Sequence, residues 1–169
     1  MGTKRSQASF WAKLPKPFFC LAPMADVTDA AFRQIIAKYG RSTRTAEWRG
    51  GPDVMWTEFV SADGLCHPTG REKLLVNLLY SEAERPIVAQ LFTAHPDKMA
   101  VAARLIQELG FDGLDINMGC PDRTVEKQGA GAALIKNPKL AQEIIRATQH
   151  GAPQLPISVK TRLGYSRDE

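Results

Sequence analysis

No run in the sequence approaches the roughly 18 consecutive apolar residues that a membrane-spanning helix needs. Cysteine is scarce: Cys20, Cys66 and Cys120 are an odd number with no CxxC pair. That excludes a disulfide framework and a zinc-ribbon pattern, and it suits a reducing compartment, so a cytoplasmic location is expected. Only three histidines occur, and no set of His, Cys, Asp and Glu has metal-ligand spacing, so no metal is expected. There is no P-loop, no low-complexity tract and no close repeat. The basic N-terminus lacks the continuous apolar core and small-residue end of a secretory signal, and it holds few arginines for a mitochondrial presequence.

Apolar residues make up 44% of the chain and charged residues 24%, the balance of an ordinary globular protein. The 169 residues suffice for one sizeable core. A net charge of +4 suits a polyanionic partner without demonstrating one, because the cations are spread along the chain.

Short apolar strands alternate with amphipathic helices. Strands are predicted over Phe18–Ala22, Val54–Val60, Pro86–Phe92, Gly113–Asn117 and Pro156–Arg162. A helix is predicted after Thr28, with the Thr28 hydroxyl as its cap, Phe32, Ile35, Ile36 and Tyr39 inward, and Gly40 at its end. A second has Pro96 in its first turn, Met99, Ala103, Ile106 and Leu109 on one side, and Gly110 closing it. A third starts at Pro138 behind an Asn137 cap, with Leu140, Ala141, Ile144 and Ala147 inward. Ser61–Glu84 is long for a connection, and LLVNLLY within it reads as a short strand or helix.

This alternation predicts a parallel sheet covered by helices, either doubly wound or a (β/α)8 barrel. Polar residues gather at strand C-terminal ends, and the first strand is followed by APMADVTD rather than a glycine-rich turn. Both favour the barrel. A full barrel takes about 250 residues, so only strands one to five of eight are expected here, with residues 1–17 as an N-terminal extension of a partial barrel domain over 18–169.

The densest chemistry lies in DINMGCPDRTVEKQGAGAALI, Asp115 to Ile135. A strand end there presents Cys120 in a Gly-Cys-Pro turn, which favours a reactive thiol over the commoner buried, inert one. Cys20, inside an apolar strand, reads as core. Period-two geometry sends Lys160 and Arg162 to one side, inward in a barrel, where two cations need an anionic or polar ligand such as a flavin edge or a nucleobase. The alternative is that the strand ends early and both are solvated. Gln90 and Asn117 can donate and accept to a planar heterocycle. Glu58 reads as a ligand-positioning group or a partner of Lys160 or Arg162. His95 reads as a capping or surface residue, and His67 and His150 as surface.

APMADVTDAAFR, TEFVSADGL, AQLF, DINMGCPDRTVEKQGAGAALI and SVKTRLGY occur in the order found in tRNA-dihydrouridine synthases, and the sequence resembles that family over most of the chain after Lys16. The resemblance implies an FMN-binding (β/α)8 barrel in which NADPH reduces the flavin and the flavin reduces the C5=C6 bond of a tRNA uridine. It implies Cys120 as the proton donor to C5. Pro23, Met24 and Ala25 would form the turn that packs on the flavin, Gln90 and Lys160 would contact its ring, and Asn117 and Arg162 would hold the uracil.

The family pattern continues past SVKTRLGY with segments that bind the FMN phosphate and with a helical tRNA-binding domain; neither is in this sequence. The chain alone is therefore expected to retain little FMN. Residues 41–50 also read as an insertion of roughly ten residues. Two other readings stay open: another FMN-dependent barrel reductase acting on a small molecule, and a non-catalytic partial barrel.

Overall fold

The computed structural model describes residues 9–41 and 51–166. Five parallel strands form one sheet in the order β1 (Cys20–Leu21), β2 (Val54–Ser61), β3 (Ile87–Phe92), β4 (Gly113–Met118) and β5 (Ile157–Thr161). Spatial order follows chain order throughout. A doubly wound sheet reverses its order at a switch point; here there is no reversal, and the sheet curls as the N-terminal portion of a (β/α)8 barrel.

The two faces of the sheet differ because successive side chains alternate. Met55, Ile87, Ala89, Leu91, Leu114 and Ile116 point outward into one continuous core under the helices. Val54, Trp56 and Val88 point inward, at the end where the strands begin. A 3-10 turn, Phe10–Lys13, packs over that end, with Trp11 5.8 Å from Trp56 and 6.1 Å from Phe18. Residues of the expected extension thus plug the lower end of the inner face.

Helix α1 (Ala30–Arg41) corrects three expectations. Its cap is Asp29, whose carboxylate accepts the Phe32 N–H at 2.7 Å; the Thr28 hydroxyl is engaged with Met24 instead. Its inward stripe runs through Arg33 and Ala37, with Ile36 partly buried against the core as expected, while Ile35 and Tyr39 are exposed. The period is as read, but the helix is rotated about its axis to bury an ion pair. Gly40 does not end it, since the helix runs on to Arg41. The rest of the expected insertion, residues 42–50, lies outside the described residues.

The long Ser61–Glu84 connection is helical. It contains α2 (Ala62–Cys66), α3 (Pro68–Leu74) and 3-10 turns at Leu75–Leu78 and Glu82–Glu84. The Glu84 carboxylate meets the Arg33 guanidinium at 2.7 Å, and both side chains are fully buried.

Helix α4 (Pro96–Glu108) buries Met99, Ala102, Ala103 and Ile106. Leu109 falls just past its end and is 37% exposed, so it is not one of the buried side chains. A short helix, α5 (Arg123–Lys127), follows the β4 end. Helix α6 (Pro138–Gly151) starts on the Asn137 cap, whose side-chain oxygen accepts the Leu140 N–H. It lies so close to α4 that a Cβ on Gly151 would stand 2.2 Å from the Ala100 carbonyl oxygen. Gly151→Ala should therefore destabilise by about 1–3 kcal/mol, read from a urea midpoint, since the obstacle is backbone and cannot rotate aside. An unchanged midpoint would mean the two helices part easily. No described helix is long and apolar enough to cross a membrane.

Candidate active site

Functional side chains collect at the upper, C-terminal ends of the strands. After β4 the chain turns sharply, and Asn117 organises the turn: its side-chain oxygen accepts the N–H groups of Gly119 at 3.1 Å and Cys120 at 3.0 Å. Asp122 caps α5 by accepting from Thr124 N–H at 2.8 Å. That bond holds its exposed carboxyl below the usual range. The Cys120 carbonyl then accepts the Ala132 N–H at 2.9 Å, tying the GAGAALI loop back onto the cysteine. Cys120 is half-buried against Phe59, Phe92, Val125 and Ala130.

Gly131 makes that closure possible. Its φ is +61°, and a Cβ there would lie 2.7 Å from the Cys120 carbonyl oxygen and 2.8 Å from Val125 Cγ1. Gly131→Ala combines left-handed backbone strain with a clash and should destabilise by about 1–3 kcal/mol. It should also speed alkylation of Cys120; an unchanged alkylation rate would show that the loop does not hold the thiol.

The turn after β1 is held as firmly. The Met24 carbonyl accepts from Val27 and Thr28 N–H, and the Thr28 hydroxyl accepts the Met24 N–H at 3.0 Å. Asp26 has φ +58° and donates its N–H to Glu58 Oε1 at 2.5 Å. Asn77 donates to the other oxygen of Glu58 at 3.3 Å. Glu58 is therefore the anchor of the Pro23–Ala25 turn, rather than a partner of Lys160 or Arg162.

Between β1 and β5 the inner face carries an open recess of about 240 Å³, bordered by Ala22, Pro23, Trp56, Asp115, Ser158 and Lys160. Cys20 also borders it and is exposed, which corrects its reading as core. An apolar neighbourhood in the sequence does not say which side of a strand a residue occupies. Burial, with the Asp53 charge adding to it, still pushes the Cys20 thiol above its ordinary pKa.

A buried chain of hydrogen bonds runs across the inner face. Ser158 donates to Asp115 Oδ1 at 2.5 Å, Gln90 Nε2 to Asp115 Oδ2 at 2.6 Å, and Asn117 Nδ2 to Gln90 Oε1 at 3.2 Å. Burial pushes the Asp115 carboxyl above its usual range; the bonds from Gln90 and Ser158 and the charge of Lys160 pull it partly back. The folded state thus holds this proton more tightly than the unfolded chain. The Asp115 contribution to stability is full below its ordinary value of 3.8 and is lost as pH rises through the raised value. The stability of wild type relative to Asp115→Asn should fall over that window in urea titrations, and a pH-independent difference would contradict the raised pKa.

Of the residues singled out in the sequence, Pro23 and Lys160 face one recess, while Gln90, Asn117 and Cys120 are joined by hydrogen bonds. Met24 and Ala25 are exposed on the turn. Arg162 lies past the end of β5, exposed, with its Cγ 3.2 Å from where a Cβ on Gly119 would stand. Lys160 is also exposed, so the two cations are not enclosed by the sheet.

Sequence reasoning does not single out Asp115 or Ser158, although the signal is present. Asp115 shares a strand face with Asn117, as Ser158 does with Lys160, and β4 and β5 pair in register. His67 and His150 are exposed as expected. His95 is a surface residue whose Nδ1 lies 2.6 Å from Asp63 Oδ1, and its side chain makes no cap bond.

The family model for dihydrouridine synthase matches residues 20–169. A "Probable tRNA-dihydrouridine synthase 2" of Bacillus subtilis strain 168 is 45% identical over 158 residues, covering 94% of this chain and 45% of the relative. A "Probable tRNA-dihydrouridine synthase" of Staphylococcus aureus strain COL is 44% identical over 157 residues, covering 93% and 44%. One from Staphylococcus epidermidis is 43% identical over 157 residues. The chain spans under half the length of these relatives. A match over nearly the whole chain, on a sheet whose strand order is that of the barrel, means that this protein belongs to the dihydrouridine synthase family.

Proposed function

We propose that this chain carries the upper half-site of an enzyme that reduces the C5=C6 bond of a uridine in tRNA, using FMN as cofactor and NADPH as reductant. The observation that carries the reading is the Cys120 turn, fastened by Asn117 and Gly131 and joined through Gln90 to Asp115, which borders the recess together with Pro23 and Lys160.

The recess fits the ring end of a flavin. It offers an apolar turn, a cation and room for a flat heterocycle, and the described residues place the cation and the turn on opposite strands of the sheet. The chemistry that reduced FMN would supply, if held there, is a hydride for C6 of the uracil. Cys120 gives its thiol proton to C5, so the ring gains two hydrogens and the cysteine is left as thiolate. Lys160 stabilises negative charge at the ring edge, and Pro23 with Met24 and Ala25 shields one face from water. Asn117, bonded to the Gly119 N–H, and Arg162, close to Gly119, orient the uracil. A uridine stacked in folded tRNA must be turned out to reach this depth, and the +4 chain charge favours the approach of its phosphates.

The test is nucleoside analysis of tRNA that lacks dihydrouridine, after incubation with the protein, excess FMN and NADPH. Dihydrouridine above the protein-free control supports the proposal. Flavin-dependent NADPH oxidation with a small-molecule acceptor, and none with tRNA, would move the reading to a barrel reductase of small substrates. No dihydrouridine and no NADPH oxidation would leave the chain as a non-catalytic partial barrel.

A further inference from the structure

Asp115, Gln90 and Asn117 are 3%, 1% and 6% exposed, so the hydrogen bonds between them are buried. Each end of this chain has a set polarity. At one end Asp115, in its ionised form, can only accept; at the other the N–H groups of Gly119 and Cys120 can only donate. Between them stand two primary amides, each with one accepting and one donating side. An amide turned the wrong way would set oxygen against oxygen or N–H against N–H in a buried site, and an unmade buried bond is costly. Both ends demand the same arrangement. Gln90 must give N–H to Asp115 and offer oxygen to Asn117, and Asn117 must then offer its own oxygen to the cysteine turn.

We infer that Asp115 is a positioning residue: through a one-way relay of amide polarity across Gln90 and Asn117, it sets the turn that presents Cys120. Its importance to catalysis rests on the proposed role of Cys120, but the relay itself can be measured without flavin or tRNA. The Gln90 backbone is held independently, its N–H on the Thr57 hydroxyl at 3.1 Å, so the side-chain amide is the part free to turn.

Asp115→Asn should be tolerated. Asparagine can turn its oxygen to Gln90 and its N–H₂ to the Ser158 hydroxyl, which can accept. Asp115→Leu has similar volume but no acceptor, and it should speed amide hydrogen exchange at Gly119 and Cys120 by about tenfold. A packing role would make the Asn and Leu variants behave alike.

The stricter test exchanges the ends. Asn117→Asp puts two acceptor-only groups on one Gln90 amide, which can satisfy only one of them, and should lower the urea midpoint at neutral pH. Adding Asp115→Asn reverses the whole relay: Gln90 donates to the new carboxylate, and the new asparagine donates to Gln90 while accepting from Ser158. Lys160, paired in register with position 117, stays beside the moved charge. The double variant should recover the wild-type midpoint, or recover folding if Asn117→Asp alone does not fold. Equal exchange in the Asn and Leu variants, or a double variant no better than Asn117→Asp, would overturn the inference whatever the outcome with tRNA.

Discussion

Replacing Arg33 by alanine should destabilise the protein by about 3–5 kcal/mol, the range seen when one partner of a buried ion pair is removed. Both side chains are fully buried, and the pair joins α1 to the segment ahead of β3. Arg33 also donates to the Thr28 carbonyl at 2.6 Å and the Leu79 carbonyl at 2.5 Å, while Glu84 accepts from Ser81 N–H at 2.7 Å. Alanine would strand a carboxylate and two carbonyls in one place. Replacing both partners, Arg33→Met with Glu84→Leu, removes both charges and should be milder than either single change. Urea midpoints of Arg33→Ala, Arg33→Met, Glu84→Leu and the double variant decide it. A single-variant loss below about 1 kcal/mol would make this a weak pair of the kind found at surfaces. The effect should reach the site too, because Thr28 is the residue that holds the Met24 turn.

Replacing Cys120 by alanine should reduce dihydrouridine formation by about 10²–10⁴-fold, the usual contribution of a positioned proton donor. Folding should change little, since the thiol is only half-buried and the turn is held by backbone N–H groups. Cys66→Ala is the control: that thiol sits 3.5 Å from the Lys98 carbonyl, away from the turn, and its loss should preserve the rate. Equal rates for Cys120→Ala and wild type would remove the proton-donor role and leave Cys120 as packing against Phe59 and Phe92.

Much of the fold was legible because periodicity and punctuation are local. The Val- and Ile-rich runs lie within a residue or two of four of the five strands. The Asn137 cap and the Pro96 start needed only neighbours three or four residues away. The first strand is much shorter than expected, Cys20–Leu21, because only those residues pair with β2. The placement of Cys120 in a turn was likewise carried by Gly119 and Pro121, whereas its tie to the loop at Gly131 came only with the fold.

What stayed hidden depends on contacts between distant segments. Nothing near Arg33 in the sequence marks it for burial; its partner Glu84 is 51 residues away. Glu58 looked available to Lys160, but the Asp26 N–H reaches it first. The sequence by itself determined the alternation of strands and helices, the family, and which residue types meet at the strand ends, since all of these are written in order and spacing. Only the tertiary structure decided how α1 is rotated, which side of β1 exposes Cys20, and which way the amides of Gln90 and Asn117 point, because hydrogen-bond polarity is settled by the groups at both ends of a network and those ends lie on different strands.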